Sequence, residues 1–347
     1  MPQSLRSIKC LLGGRPFDFQ GSILYNALAS SGSRPPSNMK TKRTAIFLIL
    51  GLAAASIAFA DAREVRPGRS KIKVLATVFP LMEFARAVAG DRGDVGILLP
   101  PGAEIHSWQP RVSDIRKIAR LDVFLFVGPV LEPWAEEILK NVGRPGLRTI
   151  EALRVLSPGG FDPAVPIREA DGADPHVWLD FGLDLSLLDH IAKVFGEIDP
   201  DGAPFFSARA NAYKDELRRL DAEYADAFRS CDEKTFVFGG HAAFGYLARR
   251  YGLEQVAVYG LSPDSGPTPK AMTEIIVRAK AKRIRTIFFE ENVSDKMARL
   301  IAREIGADVR VLNPGDNLTK DELASGLTFL DLMRRNLESF KHGLGCR

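Results

Sequence analysis

The sequence contains few cysteines and few histidines, and its charges nearly balance. Three Cys and five His occur among 347 residues, with 47 Lys and Arg against 43 Asp and Glu. Seven of the basic residues but only one acidic residue lie within positions 1–60, so the rest of the chain carries a net charge of −2. A nucleic-acid partner requires a clustered basic face, and the composition gives no sign of one. Hydrophobic residues at 46% and charged residues at 26% are typical of a globular protein.

The cysteines leave the question of a disulfide open. Cys10 lies in the N-terminal region, and Cys231 and Cys346 remain in the body of the chain. Two cysteines in an oxidising compartment can form one bridge. Their spacing along the chain does not show whether their Cα atoms come within bonding range.

The N-terminal region carries an apolar run that is too short to span a membrane. A basic start at residues 40–43 precedes the apolar residues 45–57, and residues 58–60 read Ala-Phe-Ala. A membrane-spanning helix needs about 20 apolar residues, whereas this order of basic, apolar and small residues is typical of a secretory signal peptide. We therefore expect a cleavable signal peptide at residues 39–60 and a periplasmic protein. An uncleaved signal anchor is the alternative.

The segment before this pattern is unusual because it would place a signal peptide inside the chain. Our interpretation is that Met39 is the true start and that residues 1–38 are a mis-called extension, so that residues 1–60 are leader. No cysteine lies near the expected cleavage site before Asp61. This favours a soluble protein over a lipid-anchored one.

The remaining sequence alternates between strand-like and helix-like segments. Residues 61–70 are a polar, flexible lead-in, and an N-terminal lobe is predicted over residues 71–204. Its strand-like runs are KIKVLATVFP, DVGILLPP and DVFLFVG, with helical patterns between them. Strands that alternate with helices indicate a mainly parallel sheet.

A long helical pattern at residues 205–230 is predicted to join this lobe to a second one at residues 231–347. The strand-like runs of the second lobe are TFVFGG, QVAVYG, TIFFEE and DVRVLNP, and its final helix is predicted over LASGLTFLDLMRRNLESF. The predicted fold is α/β, with two lobes that are each a mainly parallel sheet flanked by helices. One long connecting helix joins the lobes, and we expect a ligand site in the cleft between them.

Three of the five histidines lie in loops or at strand ends, where open α/β sheets present ligand groups. They are His106 in PPGAEIHSWQP, His176 in DPHVWLD and His241 in GGHAAFGYL, and Asp316 follows the last strand. His190 is expected to be packed or half-exposed in a helix, and His342 to be solvated.

Three neutral imidazoles and one carboxylate make a four-coordinate site that zinc favours. The separations between these residues match no local motif, so their spacing alone carries little weight.

From Lys71 to about Phe340 the chain resembles the periplasmic metal-binding proteins of zinc and manganese ABC transporters, the cluster A-I or ZnuA-like family. The matching segments are VLATVFPLMEFARAVAGD, LLPPGAEIHSWQP, DVFLFVGPVLEPW, DPHVWLD, GGHAAFGYLARRYGL, GLSPDSGPTP, IFFEENVSDKMARLIAREIGA and FLDLMRRNL. The resemblance implies that His106, His176 and His241 bind the metal and that Asp316 is the fourth ligand.

Other acidic residues compete for roles near the metal. Glu290 and Glu104 are alternatives to Asp316 as fourth ligand, although each is expected to be a solvated acid; Glu290 could also act as a supporting group, and a water molecule could fill the fourth position. Asp180 is expected to orient or cap the His176 loop, because ligating histidines need an acceptor for their second nitrogen.

The resemblance implies Zn²⁺ as the transported ligand, with Mn²⁺ as the alternative. Relatives that select manganese resemble this chain but carry Glu where it has His241, and three imidazoles favour zinc. The implied partners are a membrane permease and its cytoplasmic ATPase, and a monomer is expected. The chain lacks the long His- and acid-rich loop of many zinc relatives, and Phe181 replaces a common Pro. A zinc hydrolase with Glu290 as general base and a metal-carrying adhesin are the rival interpretations.

Overall fold

The computed structural model describes residues 70–156, 168–169, 172–262, 267–290 and 295–347. The predicted leader and nearly all of the predicted lead-in lie outside the described residues, as do residues 157–167, 170–171, 263–266 and 291–294. Among the described residues, no helix combines the length and the apolar character that a bilayer-crossing segment requires.

The first half of the described chain forms a four-stranded parallel sheet. Its strands are β1 (Ile72–Ala76), β2 (Gly93–Ile97), β3 (Val123–Phe126) and β4 (Arg148–Glu151), in the order β2-β1-β3-β4. The connecting helices are α1 (Phe79–Ala89), α2 (Val112–Ile118) and α3 (Ala135–Val142), and α4 (Ala152–Leu156) follows β4. The run KIKVLATVFP therefore contains a short strand and the start of a helix, because Pro80 occupies the first turn of α1 and fits that position well.

The second half forms another parallel sheet. Its strands are β7 (Thr235–Phe238), β8 (Glu254–Ala257), β9 (Thr286–Phe289) and β10 (Asp308–Val311), in the order β10-β9-β7-β8. The helices of this half are α7 (Gly245–Tyr251), α8 (Pro269–Ala281), α9 (Lys296–Ile305), α10 (Lys320–Ser325) and α11 (Phe329–Leu344). A two-stranded hairpin of β5 (Arg168–Glu169) and β6 (Gly172–Ala173) precedes the link between the halves.

Two helices link the sheets. They are α5 (Phe181–Ile198) and α6 (Ala203–Arg229). With 27 residues, α6 is about 40 Å long. Two mainly parallel sheets with flanking helices and one long helix confirm the predicted fold class. The lobe boundaries at residues 204 and 231 stay a prediction.

The prediction of one final helix is wrong, because two helices occupy that stretch. Gly326 ends α10 in the left-handed conformation, with φ of 73°, which glycine adopts at little cost. Thr328 then caps α11, and its hydroxyl accepts a hydrogen bond from the backbone N–H of Asp331 at 3.1 Å. The apolar pattern continues across this break, which is why the sequence read as one helix.

One hydrophobic core runs through both halves of the described chain. It takes Val74 and Val123 from the first sheet, Phe236 and Phe288 from the second, and Phe206 from α6. Side chains on the opposite faces of the two sheets form two smaller clusters. Because residues of both sheets belong to this one core, packing holds the two sheets in a fixed position relative to each other.

A disulfide joins Cys231, just after α6, to Cys346 near the C-terminus. The sequence had left this pairing open. The bridge closes a separation of 115 residues and ties the start of the second half to its end.

Candidate metal centre

His241 follows β7 after two glycines, Gly239 and Gly240, and the second of these leaves room for an acidic neighbour of the ring. A Cβ atom at Gly240 would lie 2.9 Å from Oε2 of Glu290 and 2.7 Å from the ring of Phe238. Only a residue without a side chain therefore allows Glu290 to approach. The His241 ring is fully buried, and its Nδ1 lies 3.1 Å from Oε2 of Glu290.

His176 lies between the β5–β6 hairpin and a short 3₁₀ turn at Val177–Leu179. It is also fully buried. Its Nδ1 lies 2.7 Å from Oδ1 of Asp174, and the same oxygen accepts the His176 backbone N–H at 2.9 Å. Because Oδ1 of Asp174 already accepts the backbone N–H, it is the acceptor of this pair, so Nδ1 of His176 carries the proton and Nε2 keeps its lone pair.

His106 lies in the loop after β2, with its ring partly exposed. The backbone N–H of His106 donates to Oε1 of Glu104 at 3.1 Å, which turns this loop inward. Nε2 of His106 is buried and has no hydrogen-bond partner among the described residues.

The structure brings these three rings together. The nearest nitrogens of His176 and His241 are their Nε2 atoms, 3.1 Å apart. The His106 ring centroid lies 5.0 Å from that of His241 and 5.6 Å from that of His176. One nitrogen from each ring lies within 4.8 Å of the others. Two nitrogens bound tetrahedrally to zinc at 2.0–2.1 Å lie about 3.3 Å apart, so the spacing has the dimensions of a zinc site.

Asp316 lies beside His106 in the loop after β10. A carboxylate oxygen of Asp316, a nitrogen of His106 and an oxygen of Glu104 lie within 4.8 Å of one another. Asp316 is buried, whereas Glu104 is half-exposed. Asp316 and Glu104, two of the acids predicted from the sequence as candidates for the fourth ligand, therefore both lie near the His106 ring.

The Asp316 loop is joined to the His106 loop by the backbone and by one amide side chain. Nδ2 of Asn317 donates to the carbonyls of Pro100 and Ala103 at 2.8 Å each. The backbone N–H of Gly102 donates to the carbonyl of Leu318 at 2.9 Å. These bonds tie a loop of one sheet to a loop of the other, and sequence reasoning did not identify Asn317.

Asp180 caps the end of the His176 loop, which is one of its two predicted roles, but it is not the acceptor of the His176 ring. Asp180 caps α5 by accepting the backbone N–H of Gly182 at 3.0 Å and pairs with Arg250 at 2.7 Å. Asp174 instead holds the His176 ring. The signal for it was present, because Asp174 lies two residues before His176 in DPHVWLD, where a side chain can turn back to the ring.

The expectation that Glu290 is a solvated acid is also wrong, since only 5% of it is exposed. Its carboxylate lies against His241 and accepts a hydrogen bond from Nδ1 of that ring. The other two histidines behave as expected, with His190 half-exposed in α5 and His342 exposed in α11.

The two buried histidines that share a hydrogen bond differ in their affinity for protons. Burial lowers the pKa of His176 well below its ordinary value, and the charge on His241 adds to this effect. Burial also opposes a charge on His241. The carboxylate of Glu290, together with the smaller effects of Asp316 and Glu104, outweighs burial and raises the pKa of this ring to about 9. At pH 7, His241 therefore carries a proton on both nitrogens and donates from Nε2 to the lone pair of His176.

Burial also shifts the pKa values of the other titratable groups at the site. Burial and the neighbouring histidines lower the pKa of His106 to about 2, so its ring is neutral. Burial raises the pKa of Asp174 to about 7, and burial together with Glu290 raises that of Asp316. Several carboxyl groups thus surround one imidazolium, and a divalent cation in its place would neutralise more of their charge.

The sequence matches a family model described as "Zinc-uptake complex component A periplasmic", over residues 74–343. The zinc-binding lipoprotein AdcA of Streptococcus pneumoniae is 34% identical over 278 residues, which are 78% of this chain and 55% of AdcA. The chain thus spans about half the length of that relative. The high-affinity zinc uptake system protein ZnuA of Bacillus subtilis is 33% identical over 286 residues, which are 79% of this chain and 88% of ZnuA.

Solved structures share the fold. The Zn(II)-bound ZnuA-like domain of Streptococcus pneumoniae AdcA has a TM-score of 0.68 at 33% identity, with 79% of this chain and 99% of that domain covered. The laminin-binding protein Lmb of Streptococcus agalactiae, described as having adhesin and metal-transporting activity, has a TM-score of 0.70 at 33% identity, with the same coverage.

A family of zinc-uptake components consists of transport proteins and not of enzymes, which sets the hydrolase interpretation aside. The matched region contains all three histidines of the cluster, Asp316 and all but the first two residues of the two sheets. The chain therefore belongs to the ZnuA family of periplasmic zinc-uptake components.

Proposed function

We propose that this protein binds one Zn²⁺ ion through His106, His176, His241 and Asp316 and delivers it to an ABC permease for import. The observation that carries the proposal is the 3.1 Å separation of the Nε2 atoms of His176 and His241, beside a buried His106 nitrogen with no hydrogen-bond partner among the described residues. Polar atoms are rarely buried without a partner unless a ligand or water uses them.

Zinc is favoured over manganese by the donor atoms. Three imidazole nitrogens and one carboxylate oxygen suit Zn²⁺, whereas Mn²⁺ prefers oxygen-rich sites. Asp174 and Glu290 support this choice, because a carboxylate on the second nitrogen fixes the ring and makes it a better ligand. The names of the relatives, which refer to zinc, point the same way.

Asp316 is the fourth ligand in this proposal. It is more deeply buried than Glu104, and its loop is held against the His106 loop by Asn317. Glu290 is occupied on the far side of His241, which suits it to a supporting role. Four protein ligands leave no position for a catalytic water.

Transport also requires export and partners. We propose that residues 39–60 act as a cleavable signal peptide, that the mature protein is a periplasmic monomer, and that it meets a membrane permease whose ATPase lies in the cytoplasm. The term "zinc uptake" in the descriptions of the family and of its Bacillus relative supports this pathway.

The test is a competition titration on the chelator-stripped protein. Wild type should bind one Zn²⁺ per chain and prefer it to Mn²⁺, whereas a His176→Ala/His241→Ala variant should lose binding. His342→Ala is the matched control, because that ring is exposed on α11 and its loss should change nothing. Equal zinc affinity of wild type and the double variant would refute the proposal.

A further inference from the structure

The helix that follows His241 also contacts the segment that holds His176. Tyr246 of α7 is fully buried, and its hydroxyl lies 3.3 Å from the backbone carbonyl of Asp174. Asp174 is the residue whose side chain fixes the His176 ring. One end of the His176 segment is thus fastened to α7.

The other end of the same segment is fastened to α7 by an ion pair. Nη1 of Arg250, near the end of α7, donates to Oδ1 of Asp180 at 2.7 Å. Asp180 comes four residues after His176 and begins α5 as its cap. Residues 174–180 are therefore held at both ends by a single helix.

Arg250 is itself anchored to the long helix α6. Its Nε and Nη2 atoms donate to the two oxygens of Asp221 at 2.8 Å and 2.6 Å, and the hydroxyl of Tyr251 adds a third bond to Asp221 at 2.7 Å. A planar guanidinium that forks onto a carboxylate has little freedom to move. Arg250 thus joins α5, α6 and α7 at one point.

The neighbouring backbone leaves room for this guanidinium. A Cβ atom at Gly182 would lie 2.5 Å from Nη1 of Arg250 and 3.1 Å from Oδ1 of Asp180. Any larger residue at position 182 would push the ion pair apart. The ion pair therefore depends on the small residue that Asp180 caps.

We propose that Arg250 is a positioning residue for the metal site, which keeps the His176 segment in register with the helix that follows His241 and so slows the release of bound metal. This inference rests on the proposed zinc-binding function. Arg250 acts through Asp180 and through α7, and its partners in the structure are Asp180, Asp221 and the Tyr251 ring.

The test compares the rate of zinc release from wild type and from Arg250→Gln. The zinc-loaded protein is mixed with excess chromophoric chelator, and the dissociation rate is measured at a temperature where both proteins are folded. Loss of groups that orient a metal ligand costs about 10- to 100-fold in metal affinity. Because Arg250 contacts no metal ligand and acts through Asp180, we expect an effect at the lower end of this range. Zinc release from Arg250→Gln should be about tenfold faster than from wild type.

Three further variants test whether Arg250 acts by positioning and shares this role with Asp221. Asp221→Asn leaves the bond between Arg250 and Asp180 in place and should speed zinc release by less than Arg250→Gln does. The double variant should release zinc little faster than Arg250→Gln alone, since the two residues act as one unit. Arg250→Lys should rescue release only in part, because one ammonium cannot reproduce the fork.

Arg278→Gln is the matched control. It removes an ion pair with Glu254 on the surface of the second half, away from the histidines, and should leave the release rate unchanged. A release rate within twofold of wild type in both Arg250→Gln and Asp221→Asn would overturn the inference while zinc binding itself stands. If wild type fails to bind zinc, the proposed function and the inference fall together.

Discussion

A proton occupies the position between His176 and His241 where the metal is proposed to bind. His241 donates this proton from Nε2 to Nε2 of His176, and Glu290 contributes most to raising the pKa of His241 to about 9. At pH 7 about 99% of His241 is then charged. Because a metal binds only the neutral imidazole, each zinc ion should displace about one proton from His241 at this pH.

Glu290→Gln should abolish most of this release. Without the carboxylate 3.1 Å from Nδ1, the largest cause that raises the pKa of His241 is lost, and burial lowers this pKa toward its ordinary value of about 6.5, against the smaller effects of Asp316 and Glu104. At pH 7 a much smaller share of His241 is then charged than in wild type. Glu290 also raises the pKa of Asp316, so its removal lowers the proton release from that group as well.

The measurement is calorimetric titration with zinc at pH 7 in two buffers of different ionisation enthalpy, which gives the number of protons released per ion. Wild type should release about one more proton than Glu290→Gln, and its apparent affinity should rise about tenfold per pH unit between pH 7 and 9. His342→Ala should match wild type. Equal proton release by wild type and Glu290→Gln would refute the assignment of this proton to His241.

Three further outcomes are expected. Asp174→Asn should weaken zinc binding about 10- to 100-fold in a chelator competition, because the His176 ring loses its orienting acceptor; an unchanged affinity would contradict that role. Asp316→Asn should weaken binding more than Glu104→Gln in the same assay, and the reverse order would transfer the fourth position to Glu104. In the metal-free protein, His106 should cost stability in urea as pH falls below about 6.5, because its pKa is lowered and it gains a proton only on unfolding. The raised pKa values of Asp174 and Asp316 act in the opposite sense between pH 7 and 5, and so does His241, with stabilisation that is complete below pH 6.5 and lost as pH rises through about 9. The stability of wild type relative to His106→Phe should therefore fall between pH 7 and 5, and an unchanged difference between the two proteins would show that the His106 ring is not buried and neutral as described.

The sheets were predictable because their strands are short apolar runs that end at Gly or Pro. β4 is the exception among the first four strands. Two of its four residues, Arg148 and Thr149, are exposed, so this edge strand has no apolar run to reveal it. The final helix was predicted as one piece because a single glycine at position 326 is weak evidence of a break without the capping bonds of Thr328 around it.

The residues proposed to bind the metal could be predicted from the sequence, but the residues that orient them could not. His106, His176 and His241 follow recognisable segments, whereas the choice between Asp174 and Asp180 depends on which way a short loop turns. Glu290 was expected to be solvated because acidic residues usually are. Its burial follows from Gly240, whose missing side chain makes space for it, and no pattern along the chain reveals that contact.

The bridge between Cys231 and Cys346 has a consequence for how the chain must mature. By the loop-entropy relation, closing 115 residues stabilises the folded state by about 5 kcal/mol. Cys346 lies beyond the last described strand and helix, so this contribution becomes available only after the strands of both sheets have been made. A Cys346→Ser variant would have all the strands of its second sheet and yet lack the disulfide that joins the end of α6 to the end of α11.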